Sequence, residues 1–93
     1  MKLSYSREAI SDLMRLKKFI ATKNPEAAQK IAKSLRKGIS QLKIFPYLGV
    51  EVEQAPNPEM IRDLMIGNYI ARYLIQAKQI YILRVWHHKK ERL

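Results

Sequence analysis

Most side chains able to do chemistry in this chain crowd into its final stretch. Arg84, Trp86, His87, His88, Lys89, Lys90 and Arg92 fall within nine positions, and Arg72 precedes them. Arginine forks bind phosphate or carboxylate oxygens in bidentate fashion. Histidine changes charge near neutral pH, which is what a proton carrier needs. An indole offers a face on which a base can stack. The set therefore suits holding a phosphate, moving a proton or gripping an acidic partner. Each member also has a plainer use: Trp86 as a sheet-packing aromatic, His87 as a surface residue, Lys89, Lys90 and Arg92 as a solvated tail. Metal binding is not expected. His87 and His88 are adjacent, so on a strand they point to opposite faces, and the chain has no cysteine and no other histidine to help them.

Those residues must be positioned by the elements around them. Lys2-Leu3-Ser4-Tyr5 alternates polar and apolar and reads as a short strand. Ser6 suits a helix N-cap, with Glu8 in the first turn where the helix dipole favours an anion. Ala9, Ile10, Leu13, Leu16 and Ile20 then recur at helical spacing. Asn24-Pro25 ends this helix and starts another, because proline at the first helical position gives up an N–H that had no partner there. Ala28, Ile31, Ala32, Leu35, Ile39 and Leu42 form the second stripe, with Lys30, Lys33 and Lys37 on a basic outer face. Gly38 interrupts that helix and marks a close approach to a sheet. Phe45-Pro46-Tyr47-Leu48-Gly49 breaks it, and an irregular loop to about residue 59 follows, kept so by Pro56 and Pro58. The loop carries Glu51, Glu53 and Glu59, the chain's one acidic cluster.

From Ile61 the period changes. Segments 61–66, 69–76 and 80–86 are rich in β-branched and aromatic residues, separated by Gly67-Asn68 and by residues 77–79. Gly-Asn suits a two-residue hairpin turn, so an antiparallel meander is predicted. The fold class is α+β: two antiparallel helices on a small antiparallel sheet, in the order β-α-α-β-β-β. The first strand joins at an edge or beside the last strand. A three-residue turn at 77–79 places Arg72 opposite Arg84 on one face, where like charges repel unless an anion bridges them. A two-residue turn at Gly67-Asn68 places Asp63 opposite Arg72, which would neutralise it internally. Arg62 can pair with the acidic loop in the same way.

Composition narrows the classes. Ninety-three residues make one domain spanning 1–93. An apolar fraction of 47% excludes a disordered chain. No apolar run approaches the roughly 20 residues of a membrane span, and Met1–Tyr5 lacks a signal-peptide core, so a cytoplasmic protein is expected. Eighteen basic against eight acidic residues give a net charge of +10, more than solubility requires. Polyanions or an acidic partner should be attracted. Residues 1–45 hold a net +8 and residues 46–93 a net +2.

The element order, the opening Leu3-Ser4-Tyr5-Ser6-x-x-Ala9, the Phe45–Gly49 break and the closing Ile80–Lys90 run resemble the RelE/ParE superfamily of toxins from bacterial type II toxin–antitoxin modules. The likeness covers essentially the whole chain. It implies a cognate antitoxin, acidic in its toxin-binding segment, and no cofactor. It also implies one of two mechanisms: ParE-like members poison DNA gyrase, whereas RelE-like members cut mRNA on the ribosome. In RelE-like members a hairpin strand commonly reads Tyr-Arg-x-x-Tyr, with the arginine on the reacting phosphate. Here it reads Tyr69-Ile70-Ala71-Arg72-Tyr73, and an isoleucine cannot offset developing phosphorane charge. His87 matches the histidine of YoeB-like nucleases, and His88 stands where those carry tyrosine. The departure at Ile70 favours a gyrase inhibitor, with the basic helices, Arg72, Arg84 and the 86–92 segment as working surface. The alternatives are a metal-independent endoribonuclease using Arg84 and His87, supported by Arg72 and His88, or a basic nucleic-acid-binding module.

Overall fold

Ser6 and Asn24 set the helical register of the chain. The Ser6 hydroxyl accepts the Ala9 N–H (2.9 Å) and opens helix α1 (Arg7–Lys23). The Asn24 side chain accepts the Ala27 N–H (3.1 Å) and opens α2 (Pro25–Ser40), with Pro25 in its first turn. A short 3₁₀ turn, Gln41–Lys43, extends α2 and buries Leu42. The structure is a computed structural model describing residues 1–89, so Lys90 and Arg92 lie outside the described residues.

The strands are β1 (Lys2–Tyr5), β2 (Val50–Glu51), β3 (Ile61–Ile66), β4 (Tyr69–Gln76) and β5 (Gln79–His87). They form one sheet in the order β1-β5-β4-β3-β2. The α+β class with a helical pair on one sheet face is as expected. Two details differ. The sheet is mixed, because β1 runs parallel to β5 at the edge. Alternation identifies a strand but says nothing of its direction. The proline-rich loop also contains a two-residue strand, β2, too short for any periodic signal.

The core lies between the helices and one face of the sheet. Ala9, Ile39, Leu42, Ala71, Tyr73, Ile80 and Ile82 are fully buried there. Gly38 faces β3 as its sequence position suggested. A Cβ built on it would stand 2.9 Å from Ile66 Cδ1 and Cγ1 and 3.1 Å from Cγ2. Alanine normally gains about 0.5–1 kcal/mol over glycine in a helix, but overpacking costs about 1–3. Gly38→Ala should therefore destabilise by about 1 kcal/mol. Gly38→Ala combined with Ile66→Val, measured by urea unfolding, should recover part of that loss.

The β4–β5 hairpin closes differently from the three-residue turn predicted. Gln76 pairs with Gln79, so the turn is Ala77-Lys78, both at positive φ (51° and 61°). That register would take Arg84 away from Arg72, but an irregularity follows. Tyr73 pairs with Ile82 while Arg72 pairs with Arg84, leaving Leu83 as the extra residue of a β-bulge. The bulge also flips the strand's alternation, so Ile80, Ile82 and Val85 all face the core. Arg72 and Arg84 are thus opposite each other, by two compensating departures.

Candidate functional site: an arginine-lined groove at the sheet edge

β1 pairs with β5 only from Gln79 to Ile82. Beyond that point the chain has turned into α1, and the edge of β5 faces the helix instead of a strand. Ser6 closes the corner: its N–H donates to Ile82 O (2.9 Å) and its hydroxyl to the carbonyl of the bulged Leu83 (2.9 Å). One and a half turns along α1, Asp12 takes over the role of a strand partner. Its Oδ2 accepts the Val85 N–H at 3.0 Å.

Asp12 also organises the charges. Arg84 donates Nε to Asp12 Oδ2 (2.8 Å) and Nη2 to Oδ1 (3.0 Å), and Arg15 Nη2 donates to Oδ1 (3.1 Å). Asp12 is only 4% exposed and is the one buried charged residue among those described. Burial alone would raise its pKa. The Arg84 hydrogen bond, the Val85 amide and the charges of Arg84 and Arg15 outweigh burial, and the carboxyl is held below its usual value. Nothing in the sequence reading assigned Asp12 a role. Its signal is positional: three residues after Ala9 and four before Leu16, it is an acid inside the apolar stripe.

On the helix-free face, Arg72 is held in the way its own sequence context suggested. Asp63 lies opposite on β3 and receives Arg72 Nε and Nη2 at 2.8 and 2.9 Å. The Arg72 guanidinium also sits over the Trp86 ring at 5.1 Å. Its pKa is raised, foremost by the Asp63 hydrogen bond. Ile70 pairs with Met65 on one side and Trp86 on the other and is buried beside them. His87 pairs with Tyr69, whose ring meets the imidazole edge-on at 5.0 Å, and its Nδ1 accepts the Lys89 N–H at 3.2 Å. His88 and Lys89 are exposed past the strand's end. Arg62 pairs with the loop as anticipated, reaching Glu51 at 3.4 Å and Gly49 O at 2.9 Å.

Between α1 and the β5 edge runs an open groove of about 520 Å³, lined by Arg15, Phe19, Arg72, Arg84, Trp86 and His87 among others. The structure thus brings together Arg72, Arg84, Trp86 and His87, and adds Asp12, Arg15 and Phe19. Neither His88 nor Lys89 is part of the groove lining. No group of three or more potential metal ligands occurs among the described residues, and no described helix is long and apolar enough to cross a membrane.

Two helices against one face of a five-stranded sheet, with a basic groove beside β5, define a small α+β domain. The family model for the ParE toxin of the type II toxin–antitoxin system parDE matches residues 3–92. The chain belongs to the ParE family and is the toxin component of such a module, which implies an antitoxin as partner. Among solved structures it is similar to one described as the chromosomal ParDE toxin–antitoxin system from P. aeruginosa, with a TM-score of 0.79 and 23% identity, covering 94% of this chain and 95% of that one. Among curated proteins nothing matches it.

Proposed function

We propose that this toxin acts by binding DNA gyrase, without cutting nucleic acid, and that the groove along β5 is its working surface. The observation that carries this reading is the state of its two facing arginines. Each is already engaged by a bidentate carboxylate, Arg72 by Asp63 and Arg84 by Asp12. A nuclease of this superfamily needs cations free to meet a developing phosphorane. At the position where nuclease-like relatives carry the phosphate-binding arginine stands Ile70, buried and paired across the strands with Trp86. The arginines instead present their outer edges, beside Trp86 and Phe19, as a rigid, partly charged and partly aromatic surface. Arginine and tryptophan dominate protein interfaces for that reason.

The antitoxin would use the same groove. An acidic segment laid along it would meet Arg15 and the outer edges of Arg72 and Arg84, would reach Lys89 just past the end of β5, and would block access to the target. Purified chain is expected to inhibit gyrase supercoiling, and Arg15→Ala with Lys89→Ala should weaken inhibition roughly tenfold. His87→Ala should leave inhibition within about twofold. Loss of toxicity in His87→Ala, together with discrete mRNA cuts by primer extension in the unaltered chain, would favour the ribonuclease instead. A direct nucleic-acid-binding module would show tight DNA binding with a steep salt dependence that an acidic peptide does not displace.

A further inference from the structure

The basic surface of the chain divides in two. α1 packs over β5 and borders the groove, while α2 lies over β3 and lends the groove no residue. Together the two helices hold nine basic side chains against three acidic ones. Asp12 is turned to the groove, and Glu8 and Glu26 stand in the first turns. Lys17, Lys18, Lys30, Lys33, Arg36 and Lys37 are all exposed. Among the described residues, none of these six is paired with a carboxylate.

These six form one surface. At about 100° of turn per residue, Lys30, Lys33 and Lys37 lie about 140–160° around α2 from the buried Leu35. They face away from the sheet and span about 10 Å along the helix. Lys18 stands likewise about 160° from Leu16, which packs against the core. Lys17 and Arg36 both line the crease between the helices. Axes of packed helices are about 8–10 Å apart, so the cations spread over roughly 10 Å in each direction. One strand of a DNA duplex sets about three phosphates along such a length.

Composition separates this face from the groove. The groove offers arginines beside Trp86 and Phe19, and arginine and tryptophan are prominent in protein interfaces. The helical face offers mainly lysines, which are depleted at such interfaces and meet phosphate as hydrated point charges. Phe19, the one aromatic residue of the two helices, lines the groove, so the lysine face has no ring on which an unpaired base could stack. Its exposed large apolar residues are Ile10 and Met14, both on α1, short of the apolar face by which a helix enters a membrane surface. We infer that the outer face of the α1–α2 pair grips the backbone of duplex DNA without reading its sequence. Such contacts carry affinity but no base information. The phosphate grip follows from the lysine face itself; the choice of DNA rests on the gyrase reading, because gyrase works on duplex DNA. Bound this way, the toxin would be held near its target at a raised effective concentration.

Fluorescence anisotropy of the purified full chain with two short labelled DNA duplexes of unrelated sequence tests this without gyrase. Its failure is thus a separate result from a failure to inhibit supercoiling. Both duplexes should bind equally, with micromolar affinity near physiological salt. The affinity should fall roughly 200-fold between about 50 and 200 mM salt, a log–log slope of about −4. Lys30→Gln, Lys33→Gln and Lys37→Gln together should flatten that slope by about 2–3. Glutamine is as good a helix former as lysine, and the matching triple change to arginine should keep the slope, separating charge from fold. Arg15→Ala with Lys89→Ala, which strikes the groove, should leave the slope unchanged. A slope unaffected by the triple glutamine change, or lost in the groove variant, would overturn the inference. So would tighter binding of a single strand or an RNA duplex, or a preference for an acidic peptide or anionic lipid vesicles over DNA.

Discussion

Asp12→Ala should lower the unfolding free energy by about 3 kcal/mol, the largest loss expected from any single surface-proximal change in this protein. Removing one partner of a buried ion pair typically costs about 3–5 kcal/mol. Arg84 retains partial access to water, with its side chain 55% exposed, which places the loss at the lower end. Three groups lose their acceptor together: Arg84, Arg15 and the Val85 N–H. For a domain of this size the midpoint of thermal unfolding should fall by roughly 12–24 °C. Asp12→Asn keeps an acceptor for the Val85 amide and should cost about half as much. The folded-state pKa of Asp12 is depressed, so its contribution is complete above the unfolded carboxylate value of about 3.9. It is lost as pH falls through the lower folded value. The stability gap between the unaltered chain and Asp12→Asn should therefore be constant near neutrality and shrink below about pH 4. A gap that stays constant to pH 2 would show that charge at Asp12 contributes nothing.

Gly49→Ala should be comparably damaging, for a reason of space and not of backbone conformation. Its φ is not in the left-handed region; among the glycines only Gly67 is, at φ 59°. A Cβ at Gly49 would stand 2.8 Å from Tyr73 Cε1, 2.9 Å from Tyr73 Oη and 2.9 Å from Asp63 O. Two of these contacts are to a fully buried ring and one is to strand backbone, so none can yield cheaply. The Gly49 N–H to Tyr73 hydrogen bond must break, and with it the anchoring of the loop. The expected cost is about 2–4 kcal/mol, the sum of overpacking and a buried unsatisfied donor. Tyr73→Phe should cost about 1–3 kcal/mol, since it leaves Gly49 N–H and Pro46 O without their shared partner. The two changes strike one contact, so the double variant should lose clearly less than the sum of the singles. Full additivity in urea unfolding would mean the hydroxyl does not hold the loop.

Much of this architecture is legible in the residues. Ser6 and Asn24 announce their helices because a short polar side chain before an apolar stripe has few other uses. Gly67-Asn68 sets the register that brings Asp63 to Arg72, so the internal neutralisation of Arg72 was readable from turn length alone. Arg84 was harder. Its partner lies 72 positions earlier on α1, and no local pattern reports a contact of that span. The facing of Arg72 and Arg84 was anticipated from a three-residue turn, yet it arises from a two-residue turn and the bulge at Leu83, whose offsets cancel. Bulges leave almost no trace in side-chain alternation when the strand is apolar on both sides. The parallel seat of β1 was hidden for a simpler reason, since Lys2–Tyr5 would alternate identically in either direction.

These observations describe a toxin whose two facing arginines are tied down by carboxylates, Arg84 by Asp12 and Arg72 by Asp63, which is the basis of the proposal that its groove docks a protein and does not cut nucleic acid. That distinction can be tested in growing cells. Induction of this chain alone in a bacterium, with thymidine and methionine incorporation followed through the first minutes, separates a block in replication from a block in translation. DNA synthesis should stop first while protein synthesis continues. An early collapse of methionine incorporation, abolished by His87→Ala, would contradict the gyrase reading and make Arg84 and His87 the working parts of a nuclease.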